Sequence, residues 1–212
     1  WTGAERVAIA RETRAAPACS LCHRRANALA PTFVSGSHDR ASELPEAVVD
    51  AIHRITVDAG RIARSDYDSW AESFSDSHYV ELLGVVVQII AVDTLALALG
   101  YALPDLLEPR LGDPTRHRPP AARSRDMWAP TLPNRGRDED SHDLYRGHTV
   151  PNVALALSLV PAEVRAMSAL TAAHYLSARD LANVQSAGGR ALSRPQIELI
   201  AARVSALNEC FY

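Results

Sequence analysis

Two thiols in the spacing Cys19-Ser20-Leu21-Cys22 are the residues of this chain best suited to chemistry. The thiolate is the reactive form of cysteine, and the free amides and dipole of a helix start favour an anion. Pro17 lacks an amide hydrogen and cannot continue a helix, so the backbone resets just before Cys19. That places Cys19 in the first turn of a second helix and Cys22 one turn further along the same face. One thiolate can attack a peroxide oxygen or a disulfide, and the other can then close the bridge. Three other readings fit the same residues. The pair can be two small buried hydrophobes, or half of a zinc site, although no second CxxC supplies the remaining ligands. Cys19-Ser20-Leu21-Cys22-His23 also matches the haem c attachment motif, with Met127 and Met167 as axial candidates.

The third cysteine belongs to a repeat. Thr2-Gly3-Ala4-Glu5, Ala8-Ile9-Ala10, Ala15-Ala16 and Cys19 recur as Ser193-Arg194-Pro195-Gln196, Leu199-Ile200-Ala201, Ala206-Leu207 and Cys210, at an offset of 191. Both copies open with a capping box, a hydroxyl residue followed three positions later by Glu or Gln. Both deliver a cysteine fourteen residues after that box. The second copy stops at Tyr212, one residue short of the position that matches Cys22. The chain therefore reads as a fragment at both ends, with a cysteine expected immediately after Tyr212.

The chain has 212 residues, a net charge of −3 and 47% apolar residues, with no lysine among its 22 basic side chains other than histidine. Without lysine, a Schiff base, a P-loop lysine and a lysine general base are all excluded. Near-neutral charge argues against nucleic acid, which needs a clustered basic surface. Three cysteines in a chain this long do not make a disulfide scaffold. A reducible pair in a reducing, cytoplasmic setting is expected instead. No signal peptide is evident. The apolar stretch Leu82–Leu99 is interrupted by Gln88, Asp93 and Thr94, so it reads as a core helix rather than a membrane span.

The elements that must position these residues read as helices throughout. A first helix is predicted over about Gly3–Ala16, and a second carries Cys19, Cys22, Arg25 and Leu29. A third starts at Pro45, with Val48, Ile52 and Ile55 at helical spacing, and ends at Gly60. A long helix runs from about His78 to Leu99, capped by the Ser75–Ser77 cluster and stopped by Gly100. Pro104–Pro151 holds eight prolines and the charged run Arg135–Asp140. It reads as a linker or wrapped loop anchored at Met127–Pro130. Helices resume at about Asn152–Leu159, Pro161–Leu176 and Arg194–Asn208. No stretch alternates as a strand would, so the fold is expected to be all-α. The expected domains are 1–102, a linker over 103–150, and the start of a second unit over 151–212.

The stretch Arg190–Tyr212 resembles the core helix of the carboxymuconolactone decarboxylase and alkylhydroperoxidase AhpD-like family. Thiol members of that family show a Glu, eleven residues, then CxxC and a nearby His. Glu198 and Cys210 match this pattern. In the first copy Cys19 and Cys22 fit the pair, but Val7 stands at the Glu position and Ala26 at the His position. Glu12, His23 and His38 are the candidates to replace them. The remaining histidines show no metal-ligand spacing and read as surface or capping residues. Leu44–Asp58 and Tyr79–Gly100 look like the helices that follow the CxxC in the family.

The resemblance implies a duplicated AhpD-like fold, a homo-oligomer and a thiol-dependent peroxidase or disulfide-exchanging oxidoreductase. Its substrate would be a hydroperoxide or another small molecule, its reductant a thiol or dithiol, and it would need no cofactor, nucleic acid or membrane. Family precedent has Cys22 attack and Cys19 resolve, with Glu198 as the base of the second unit. The helix-start argument instead favours Cys19 as the thiolate. A decarboxylase-like lyase and a non-catalytic helical assembly module are the alternatives.

Overall fold

The computed structural model describes residues 1–124, 127–133, 142–144, 151–208 and 210. The run Arg135–Asp140, His148 and the position after Tyr212 lie outside them. Among the described residues the protein is all-α, with nine α-helices and one isolated bridge, Arg123 with Thr131. The chain divides into two units, Trp1–Val164 and Arg165–Tyr212.

The first unit is built on α1 (Gly3–Ala15), α3 (Glu46–Val57) and α5 (Asp76–Ala98), which pack against one another. Thr2 and Glu5 close the expected capping box on α1. A 3-10 turn over Ala16–Ala18 contains Pro17 and hands the chain to α2 (Ser20–Ala26), with Cys19 as its N-cap. The second helix is shorter than expected. It ends at Ala26, and Leu29 is fully exposed, because Asn27 folds its side chain back onto the His23 carbonyl at 2.8 Å.

α3 is buried on nearly every side, Val48, Val49, Ala51, Ile52, His53, Arg54 and Ile55 all lying inside. A helix with that environment must neutralise its polar residues internally. Arg54 does so with a two-pronged pair to Asp66 at 2.6 and 3.0 Å. Asp66 belongs to α4 (Arg64–Ala71), a helix without a strong apolar period that carries Tyr67 and Trp70 into the core. α3 stops at Val57, and Gly60 lies in the 3-10 turn that follows.

In α5, Ser75 caps the start and Gly100, at φ +75°, ends it, with the Tyr101 amide reaching back to Ala96 at 2.9 Å. The first half of α5 buries Val80, Leu82, Val85 and Val86. The second half leaves Leu95, Leu97 and Leu99 exposed, so only part of this helix is core. It is long and apolar enough to span a membrane. Asp93 is held by the Arg14 guanidinium through two bonds of 2.8 and 2.9 Å. Ala129 and Leu132 are buried, which seats the segment around Trp128 where an anchor was expected. The unit closes with α6 (Asn152–Leu157) and the start of α7 (Pro161–His174). Glu163 of α7 is buried and accepts from Arg6 at 2.8 Å and Gln88 at 3.0 Å.

The second unit holds the rest of α7, α8 (Ala178–Ala182) and α9 (Arg194–Leu207). Ser193 and Gln196 form the expected cap on α9. α9 buries Ile197, whereas α1 buries Ile9, Ala10, Glu12 and Thr13. The repeated pattern thus corresponds to two similarly capped helices with different surroundings.

Gly84 is a close approach between α5 and the start of α7. A Cβ there would sit 2.3 Å from Glu163 Oε2 and 2.8 Å from its Cδ. Gly84→Ala should destabilise the protein by about 1–3 kcal/mol, the usual range for overpacking a filled interior. Urea unfolding of the variant against wild type measures this directly.

Candidate functional site: a dithiol between two histidine–carboxylate pairs

Cys19 and Cys22 are both free thiols and both buried, at 0% and 4% exposure. As the N-cap of α2, Cys19 has extended backbone and stands at the helix start. The following loop grips it from the other side. The Asp39 amide donates to Cys19 Sγ at 3.4 Å, while the Asp39 carboxylate accepts from the Ser20 amide at 2.7 Å.

His38 comes from the same loop and is 8% exposed. Its Nδ1 lies 3.5 Å from Cys19 Sγ and 3.6 Å from Cys22 Sγ. Its Nε2 donates to Asp50 Oδ1 of α3 at 3.0 Å. Asp50 also accepts from Arg25 at 2.7 Å and from the Trp70 indole at 2.9 Å.

A second pair reaches Cys22 from the opposite direction. His53 of α3 places Nδ1 3.4 Å from Cys22 Sγ, and its Nε2 donates to Glu12 Oε2 at 3.1 Å. Glu12 and His53 are both wholly buried. The other Glu12 oxygen accepts from the Ala41 amide at 2.9 Å and from the Ser42 hydroxyl at 2.6 Å. A carboxylate taken out of water needs such partners on both oxygens. The far nitrogen of each histidine is thereby committed to a carboxylate, and the near nitrogen faces sulfur.

The electrostatics separate the two thiols. Burial opposes ionisation of Cys19, but the amides of Cys22 and Asp39, together with His38, outweigh it and bring the thiol down to about 6. Burial and the neighbouring Cys19 anion push Cys22 up to about 12. The surroundings thus favour the thiolate at Cys19 and the thiol at Cys22. Burial also opposes ionisation of Asp50, yet its bonds from His38, Arg25 and Trp70 hold the carboxyl well below the usual carboxylate range. His38 is raised despite its burial, through its contacts with Asp50 and Cys19.

Of the residues expected from sequence, Cys19, Cys22, Glu12 and His38 come together here. His23, next to Cys22, is exposed on α2 and outside the cluster. Glu198 is exposed on α9, where it pairs with Arg194 at 2.5 Å and accepts from the Tyr175 hydroxyl at 3.0 Å. Cys210 is exposed just beyond the end of that helix. His53, expected at a surface or cap, is instead a buried member of the site. Asp50, Ser42 and Arg25 complete it. Sequence spacing offered one cue for α3: Asp50 and His53 lie three apart, on the side of the helix that also buries Val49. The four sulfur and ring-nitrogen atoms of Cys19, Cys22, His38 and His53 all lie within 4.8 Å of one another, so these residues could also hold a metal ion.

No family model, curated protein or solved structure matches the chain.

The two thiols should leave opposite marks on stability in the reduced, metal-free protein. Cys19 ionises more readily folded than unfolded, so its contribution should grow as pH rises from about 6 toward the ordinary thiol value of 9.0. Cys22 ionises less readily folded, so its contribution should be lost as pH climbs from that value through about 12. Urea unfolding under reductant across this range should show a Cys19→Ser difference that widens between the first two values. A pH-independent difference would contradict the assignment.

Proposed function

We propose that the chain is a dithiol-dependent hydroperoxide reductase of the AhpD-like type. In this reading Cys19 and Cys22 pass two electrons to a hydroperoxide and are re-reduced by an external thiol or dithiol. The observation that carries the reading is the convergence of two separate histidine–carboxylate pairs on one CxxC. Cysteines kept for packing need no bases beside them. A dithiol that turns over must take up and release two protons per cycle, and each sulfur here has an oriented imidazole within reach.

The chemistry closes without a cofactor. The Cys19 thiolate attacks the terminal oxygen of ROOH, forming an S–O bond as the O–O bond breaks. The alkoxide leaves as ROH with a proton from His38. Cys22 then gives its proton to His53 Nδ1, and its sulfur displaces hydroxide from the Cys19 sulfenic acid. The S–S bond forms, and hydroxide departs as water with that proton. An incoming dithiol restores both thiols by two exchange steps, returning one proton to Cys22 and one to His38. The family order, in which Cys22 attacks first, has one observation in its favour: the Cys22 sulfur lies within reach of both histidines.

Such a cycle suits a reducing compartment such as the cytoplasm. Its partners would be a small hydroperoxide and a thiol reductant, with neither nucleic acid nor membrane required. The exposed apolar half of α5 is the surface on which this reading places self-association into a homo-oligomer.

Peroxide consumption under excess dithiol tests the proposal. Cys19→Ser and Cys22→Ser should each abolish multiple turnover. If Cys19 attacks first, Cys22→Ser should accumulate a trappable sulfenic acid on Cys19. His53→Gln should slow disulfide closure by about 10²- to 10⁴-fold, the usual worth of a positioned base. Unchanged turnover in the Cys19→Ser/Cys22→Ser double variant would eliminate the redox reading and leave the lyase or assembly roles.

A further inference from the structure

We infer that Cys19, Cys22, His38 and His53 form a closed four-ligand site for a divalent cation of the zinc class in the reduced protein. The geometry already has the right scale. A tetrahedral ion with Zn–S near 2.3 Å and Zn–N near 2.0–2.1 Å has sulfur-to-nitrogen edges of about 3.5–3.6 Å. Three of the four sulfur-to-nitrogen edges in the cluster measure 3.5, 3.6 and 3.4 Å, and the fourth, from Cys19 to His53, is within 4.8 Å. All four donor atoms lie within 4.8 Å of one another, and all four residues are buried.

The surroundings fit an ion as well as the donors do. Histidines that bind metal characteristically give their other ring nitrogen to a carboxylate, which fixes the tautomer and the ring plane. His38 does this with Asp50, and His53 with Glu12. The Asp39 amide supports the Cys19 sulfur from outside the tetrahedron. Cys22 Sγ carries at most one proton yet faces two ring nitrogens, and a cation would satisfy all three atoms at once. Two thiolates would also cancel the charge of the ion inside a buried site. Thiolate and imidazole donors together suit zinc rather than magnesium or calcium.

Four protein ligands leave no open position for water, so the ion would hold and shield the thiols rather than activate a nucleophile. Metal binding needs no oxidant, so the inference stands independently of the peroxidase reading. Where both hold, the ion and the disulfide are alternative occupants of the same two sulfurs.

The test uses the full chain, reduced and stripped with chelator, titrated with Zn²⁺ against a chromophoric competitor and with Co²⁺ as the spectroscopic probe. One ion per chain is expected, with tetrahedral cobalt bands and a thiolate-to-cobalt charge-transfer band. Zn²⁺ should protect Cys19 and Cys22 from alkylation while Cys210 continues to react. Asp50→Asn should weaken affinity about 10- to 100-fold, as loss of a carboxylate behind a ligating histidine does. Cys210→Ser should leave binding unchanged, and Cys22→Ser should remove the tight site. If Cys22→Ser fails to fold, the alkylation pattern of the wild type decides alone. An octahedral cobalt spectrum, or alkylation of Cys19 and Cys22 at the same rate with and without Zn²⁺, would overturn the inference. Zinc binding without peroxide turnover would retain it and remove the redox reading; turnover without zinc binding would do the reverse.

Discussion

The contact on which the rest of the site depends is the buried pair of Glu12 and His53, 3.1 Å apart and both at zero exposure. Neither can be withdrawn from water cheaply, and removing one leaves the other stranded. The pair therefore fixes how α1 lies against α3. Because Ala41 and Ser42 bind the second Glu12 oxygen, it also fixes the loop that delivers His38 and Asp39. The position of α2 follows, since its first residue is clamped by that loop through Asp39. A buried polar contact of this kind contributes less to stability than to uniqueness, by penalising every packing that would part its members.

The absence of lysine gives the site an unusual electrical character. Arg25, Arg54, Arg14 and Arg6 each hold a carboxylate, and a guanidinium does not lose its proton in the physiological range. The positive background is therefore constant with pH. Against it, the Cys19 thiol is brought down to about 6 and His38 is raised by Asp50 and Cys19. Asp50 connects the two sets, with invariant Arg25 on one side and responsive His38 on the other. A change of proton at the sulfurs is thus felt against a fixed electrostatic frame.

Much of this framework was legible in the residues. Thr2 with Glu5, Pro17, Ser75 and Gly100 marked helix boundaries through local chemistry, and the helices begin and end close to them. α4 escaped because its apolar content is little more than Tyr67 and Trp70, too sparse to set a period. Helical spacing places Leu29 on α2, but Asn27 supplies a side-chain stop that outcompetes another turn. At the site, His38 stands out through nearness to the CxxC, and Glu12 as a replacement for the carboxylate missing at Val7. His53 does not, because its importance arises from a contact to Glu12 that only the packed helices create. Glu198 illustrates the opposite case, where spacing was suggestive and the side chain answers to Arg194 and Tyr175. Local grammar sets helix ends, whereas convergence of side chains on one sulfur is a property of tertiary packing.

The close approach of α5 to Glu163 has a consequence for how this sequence can change over time. Glu163 occupies the space that a side chain at position 84 would need, and it is tied there by Arg6 and Gln88. Positions 84 and 163 therefore behave as one inherited character. A larger residue becomes tolerable at 84 only after 163 has shortened, and a shortened 163 leaves Arg6 and Gln88 seeking new partners. Lineages of this chain should remain locked at the middle of α5, with that lock opening only through paired substitution.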